Sequence, residues 1–120
     1  MNSLIIDAAN EKIFLMLIKN ENIYSISHVN SKMNYEKLII LISDFIKNYD
    51  LTISKISKLY VNRGPGSFAG IRNSLATVKA IFVAKKIDYY CFSSDDFDNL
   101  PDNKYENIPY LCDKFKIKKN

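Results

Sequence analysis

Asp7, Ser67 and the run Arg63-Gly64-Pro65-Gly66-Ser67-Phe68-Ala69-Gly70 are the residues whose types and spacing could do chemistry. Three closely spaced glycines let backbone approach backbone or a ligand, because glycine takes positive φ freely. Pro65 sits between two of them and makes the turn rigid. The run follows Leu59-Tyr60-Val61 and opens an amphipathic segment from Ile71 to Ala84, so it reads as strand, turn and helix start. Unpaired N–H groups at a helix start favour negative charge. One reading is therefore an anion or nucleotide loop of Asp7, Arg63, Gly64, Gly66, Ser67 and Gly70. The other is a tight strand-to-helix connection that uses glycine for close packing. No Lys-Ser or Lys-Thr pair follows the last glycine, and the spacing is G-x-G-x-x-x-G, so neither a Walker A loop nor the dinucleotide fingerprint is present.

The remaining reactive residues form no catalytic constellation. His28 is the single histidine and falls on a strand face. Ser67 has no partner base, and Asp7 lacks the further carboxylates of a two-metal nuclease. Asp95, Asp96 and Asp98 read as a solvated helix start rather than a metal site. Cys91 and Cys112 are too few and too far apart for a zinc site or disulfide framework, and free thiols are expected.

These residues need elements to position them. Leu4 to Ile6 predicts a strand ending in the polar turn Asp7 to Asn10. Ile13 to Ile18 and Ile23 to Val29 predict two more strands, joined by short connections as an antiparallel meander. A helix is expected over Asn34 to Tyr49 with Asn34 as N-cap. Its apolar arc, from Leu38, Leu41, Ile42, Phe45 and Tyr49 out to Tyr35, Ile39 and Ile46, is wider than one sheet contact requires. After a connector and the strand Leu59 to Val61, a second helix runs from Ile71 to about Lys86. Ile71, Leu75, Val78 and Phe82 form its bulky face, Ala69, Asn73, Ala76, Ala80 and Ala84 a small-residue face, and Arg72, Lys79 and Lys86 lie between the two. Tyr35, Ile39, Ile46, Arg72, Asn73, Ala76, Ala80 and Ala84 are thus the candidate partner surface. Ile87 to Phe92 predicts a last strand, and Ser93 to Asp96 a capping box.

The chain has 120 residues, net charge +4 and 48% hydrophobic content, which suits one globular domain and not disorder. No signal peptide or membrane span is evident, and a cytoplasmic protein is expected. Residues 101–120 read as a polar, basic tail after a domain over 1–100.

The loop wording, with Gly70-Ile71-Arg72, Leu75-Ala76-Thr77 and Lys79 in register, resembles the signature of the TsaB (YeaZ) family. The β-β-β-α-β-α-β order with Asp7 ending the first strand resembles the ribonuclease H-like lobe shared by actin, Hsp70 and sugar kinases. The expected fold is thus α/β, one such lobe with a mixed sheet flanked by helices. Ala8-Ala9 stands where hydroxyls are usual in these families, so no phosphate contact is assigned to Ala8 or Ala9. Tyr110 to Lys114 faintly resembles the opening strand of a second lobe. The resemblance implies a noncatalytic partner of a TsaD-like enzyme in tRNA threonylcarbamoyladenosine modification, pairing through its helices as a heterodimer. A TsaE-like ATPase would join through the complex, tRNA would be met only indirectly, and ATP with magnesium would not be required. The alternatives are a minimal nucleotide-binding ATPase or nuclease lobe, or a module that pairs with itself as a homodimer.

Overall fold

The computed structural model describes residues 1–97, 105–114 and 119. Strands β1 (Asn2–Asp7), β2 (Lys12–Lys19) and β3 (Asn22–Val29) form the expected meander, with β1 and β2 antiparallel and β2 and β3 antiparallel. Helices α1 (Lys32–Glu36) and α2 (Leu38–Lys47) lead to β4 (Lys58–Asn62), which lies parallel to β1. Helix α3 (Phe68–Lys85) leads to β5 (Asp88–Phe92), parallel to β4, and α4 (Ile108–Lys114) follows. The sheet order is β3-β2-β1-β4-β5, a mixed five-stranded sheet. Central β1 is apolar at every position from Leu4 to Ile6 because both its faces are covered, whereas edge strand β3 alternates half-buried and exposed residues.

The principal core lies between one sheet face and α1 to α3. It joins Leu4, Ile6, Leu15, Leu17, Leu59 and Val61 of the strands to Leu38, Ile42, Phe45, Ile46, Val78 and Ile81 of the helices. The first helical segment begins earlier than expected and is broken. Ser31 is its N-cap, its Oγ accepting the Asn34 N–H, while the Asn34 side chain donates to the Val29 carbonyl at 2.8 Å. Asn34 therefore ties helix to strand and is not the cap. At Lys37 the backbone leaves helical geometry (φ −112, ψ 30), which re-aims α2 so that Leu38, Ile42, Phe45 and Ile46 all turn inward.

Helix α3 also starts before Ile71, with Ser67 as N-cap. Its fully buried face is Gly70, Ser74, Val78 and Ile81, while Ile71, Leu75 and Phe82 flank it half-buried. The expected bulky face thus supplies only Val78 to the fully buried set. Small residues win at the helix start because the end of β1 comes too close for larger ones.

A second core covers the opposite sheet face. Ile108, Leu111 and Cys112 of α4 pack on Ile5, Met16, Tyr60 and Phe92, with Phe14 and Tyr105 alongside. Tyr110 to Lys114 is helical, not the strand expected there, and 105–114 is a packed part of the lobe rather than a tail. The spacing Ile108, Leu111, Cys112 is the i, i+3, i+4 pattern of one helix face, too short to stand out in the sequence. Asp98 and the rest of the segments 98–104, 115–118 and 120 lie outside the described residues.

Candidate functional site

The glycine loop closes on its own chain. A Cβ on Gly70 would stand 2.0 Å from the Ala8 carbonyl oxygen, and one on Gly66 2.1 Å from that of Ala9. The Ser67 N–H donates to the Ala9 carbonyl at 2.7 Å, and the Gly70 N–H to Ser67 Oγ at 3.2 Å. Gly64 has φ +112, where a side chain would be strained and would also meet Ile71. Its N–H donates to Asn62 Oδ1 at 2.9 Å, and its carbonyl accepts Ser93 Oγ–H at 2.7 Å. Of the two readings of the loop, the close-packed strand-to-helix connection is the one these contacts build.

Asp7 ends β1 and is 2% exposed. The Ala9 N–H donates to its Oδ1 at 3.0 Å, and Asn10 Nδ2 reaches both oxygens at 3.4–3.5 Å. The Tyr105 hydroxyl donates to Oδ2 at 2.5 Å. Burial, followed by this hydrogen bond and the carboxylate charge, pushes the Tyr105 phenol well above its ordinary value. Asp7, Asn10, Asn62, Ser94 and Tyr105 line a cavity of about 180 Å³, smaller than the roughly 300 Å³ at which ligand pockets begin. Among the described residues Asp7 is the single carboxylate lining it, and no group of three or more His, Cys, Asp and Glu could hold a metal. Arg63 is exposed and reaches Asp96 Oδ1 at 3.8 Å.

Asn62 and Tyr105 complete this corner beside Ser93 of the expected capping box, and neither of the two was singled out in the sequence. Asn62 Nδ2 donates to Ser94 Oγ at 3.1 Å, and the Ser93 N–H to Asp96 Oδ2 at 2.8 Å, the latter part of the expected capping box. Only the polar Asn62 at the end of an apolar strand could have signalled its role. Tyr105 lies 98 residues from Asp7, and no local pattern links them.

The candidate partner residues mostly share one surface. Tyr35, Arg72, Asn73 and Ala76 line a groove of about 490 Å³ between α1 and α3, with Lys32, Glu36, Phe68 and Ala69. Asn73 Nδ2 donates to the Ala69 carbonyl at 2.8 Å, so its amide is held along the helix. Ala80 and Ala84 continue the exposed face of α3. Ile39 is 40% exposed on α2. Ile46 is the exception. It is fully buried, because it stands four residues from Ile42 and eight from Leu38 on the face that meets the sheet. Exposed apolar residues the sequence reading passed over surround the surface: Met33 at 70%, Ile40 at 54%, Phe68 at 78% and Val83 at 66%. Phe68 also rims a second groove, about 610 Å³, between α3 and β5, floored by Ile71, Leu75, Tyr89 and Cys91.

Cys112 is buried, which with Asp96 pushes its thiol up to about 12, and a neutral thiol is a poor nucleophile. Cys91 packs with the core on the opposite side of the sheet. No helix among the described residues is long and apolar enough to cross a membrane.

A mixed sheet in this order, with helices on both faces and an Asp closing the first strand, defines a ribonuclease H-like α/β lobe. Solved structures bear this out. YeaZ from Pseudomonas aeruginosa superposes with a TM-score of 0.70 and 18% identity over 82% of this chain and 49% of that one. A second structure from that organism, described as an uncharacterized protein with similarity to peptidase YeaZ, matches equally well. Thermus thermophilus RuvC in complex with a Holliday junction substrate shares the fold at TM-score 0.57 and 9% identity, covering 85% of this chain and 71% of that one. No family model matches the chain. A tRNA threonylcarbamoyladenosine biosynthesis protein TsaB, from Buchnera aphidicola of Schizaphis graminum, is 26% identical over 91 residues. With the loop wording from Arg63 to Lys79, these matches show a chain similar to members of the TsaB (YeaZ) family. The alignment covers 76% of this chain and 43% of the relative, so the chain spans less than half of that protein's length.

Proposed function

We propose that the chain takes part in tRNA threonylcarbamoyladenosine biosynthesis as a noncatalytic partner of a TsaD-like enzyme. The observation that carries this reading is the apolar and small-residue surface of α1 to α3, with Phe68 78% exposed between two grooves. Exposed apolar area of this kind, rimmed by Arg72, Lys32 and Lys79, is characteristic of interaction sites. Tyr35, Ile39, Arg72, Asn73, Ala76, Ala80 and Ala84 would meet the partner helices, the alanines allowing close approach. A TsaE-like ATPase would join through the TsaD-like subunit, tRNA would be met only indirectly, and the complex would work in the cytoplasm. The chain itself would need no cofactor. A nucleotide-binding or nuclease reading has less support, since Asp7 is closed in by Asn10 and Tyr105 and the glycine loop by Ala8 and Ala9.

Co-expression with the TsaD-like protein of the same genome, followed by size-exclusion chromatography with light scattering, tests the proposal. A one-to-one complex is expected, lost in Ala80→Arg while the isolated domain keeps its thermal stability. Separate elution of two folded proteins would refute it, as would undiminished binding by Ala80→Arg.

A further inference from the structure

The outer edge of β3 carries the means to pair with a second copy of the chain. The sheet order leaves β3 at an edge, and among the described residues no strand or bridge pairs its outer side. The other edge differs: Lys119 forms a bridge with Tyr90 of β5, and its Nζ lies 3.4 Å from Asp88. Natural edge strands are usually blunted by lysine, proline, a bulge or shortness. Strand β3 has none of these. Its eight residues, Asn22 to Val29, include no Lys, Arg, Asp, Glu or Pro, and their register with β2 is unbroken from Lys12↔Val29 to Lys19↔Asn22.

Backbone direction settles which groups face outward. The Asn30 N–H donates to the Glu11 carbonyl at 3.1 Å, so the even-numbered residues exchange hydrogen bonds with β2. Inward and outward groups alternate along a strand. Ile23, Ser25, Ser27 and Val29 therefore turn their N–H and C=O groups to the open edge, and all four are exposed.

We propose that two copies pair antiparallel through β3 about a two-fold axis at Ile26, joining their sheets into one. In this register Ile23 faces Val29 of the second copy, Ser25 faces Ser27, Tyr24 faces His28, and Ile26 faces itself. The two large apolar residues on the solvent side of the strand, Ile23 at 48% and Val29 at 66% exposed, then cover each other at both ends of the pairing. A shift of two residues either way sets Ile23 or Val29 against a serine or leaves it beyond the strand end. The outward groups would form about eight main-chain hydrogen bonds, and no like charges would meet. This edge shares no residue with the helix surface proposed to meet a TsaD-like protein, so the two contacts are separable.

The test is the mass of the full chain by light scattering over a concentration series, with circular dichroism to check folding. A concentration-dependent shift from one chain to two is expected. Ser25→Lys with Ser27→Lys places lysines opposite each other at exposed positions and should raise the dissociation constant about tenfold or more. Ile26→Cys should cross-link to its own copy under mild oxidant, because opposed residues of a non-hydrogen-bonded pair lie about 4.5 Å apart, within disulfide reach. Ser25→Cys, which does not face itself, should stay uncross-linked. A single-chain mass at every concentration would overturn the proposal. So would a dimer untouched by the double lysine variant, which would point to the helices as the contact.

Discussion

Gly66 and Gly70 show how residue type here answers to backbone proximity. Each lies where a methyl group would overlap a main-chain carbonyl of Ala9 or Ala8, which cannot swing away as a side chain can. Gly70→Ala should cost about 2–3 kcal/mol of stability, read as a lower denaturant midpoint at unchanged slope. The Asp7–Tyr105 pair gives a second prediction. Tyr105→Phe leaves a buried carboxylate oxygen with only the Asn10 contact and should cost about 1–3 kcal/mol. Tyr105, Tyr60 and Cys112 also fix a pH dependence. Burial raises all three, Tyr60 and Cys112 to about 12 from ordinary values of 10.0 and 9.0. A group whose folded value is raised holds its proton in the folded state after the unfolded chain has lost it. The stabilisation is therefore complete below the unfolded values and declines as pH climbs toward the folded ones. Alkaline unfolding is expected from about pH 9 upward, read as loss of ellipticity along a pH series. Ellipticity unchanged to about pH 12 would count against it.

At the scale of elements, the strands were legible because their periodicity is decisive. The apolar run Ile13 to Ile18 and the alternation in Tyr24, Ile26 and His28 gave the covered and half-covered strands found in β2 and β3. Helix faces were less legible. A wheel drawn from Asn34 treats 34–49 as one rigid helix, but the break at Lys37 resets the phase and carries Ile46 into the core. Helix α3 reads as bulky on one face and small on another, yet the tight approach of β1 selects Gly70 and Ser74 for burial. The cap at Ser67 belongs to this scale too. Its Oγ accepts the Gly70 N–H, so Ser67→Ala should lower stability by about 1 kcal/mol and Ser67→Asp should retain most of it. Thermal melts of the two variants compare them directly.

For the whole molecule the decisive element is α4. It closes the second face of the sheet over Ile5, Met16, Tyr60 and Phe92, which would otherwise be left as an apolar surface. Leu111→Asp buries a charge at a position 4% exposed. It should destabilise the chain by about 3 kcal/mol or more and raise binding of a hydrophobic dye, whereas Tyr110→Asp at an exposed position should do neither. Equal stability of the two variants would mean that α4 contributes little to the lobe.

From the sequence alone came the ribonuclease H-like lobe, the loop wording from Arg63 to Lys79 that resembles the TsaB (YeaZ) signature, and the exposed small residues of α3. All of these rest on short-range information: the period of apolar residues, and the order of residue types along one loop. The tertiary structure alone decided that the glycine loop is filled by Ala8 and Ala9, that Tyr105 closes over Asp7, that Ile46 is core, and that 105–114 is part of the lobe. Each of these depends on segments far apart in the chain being brought to atomic contact. Where backbones meet, steric overlap and the need to pair every buried polar group determine what a residue does, and no local pattern carries that information.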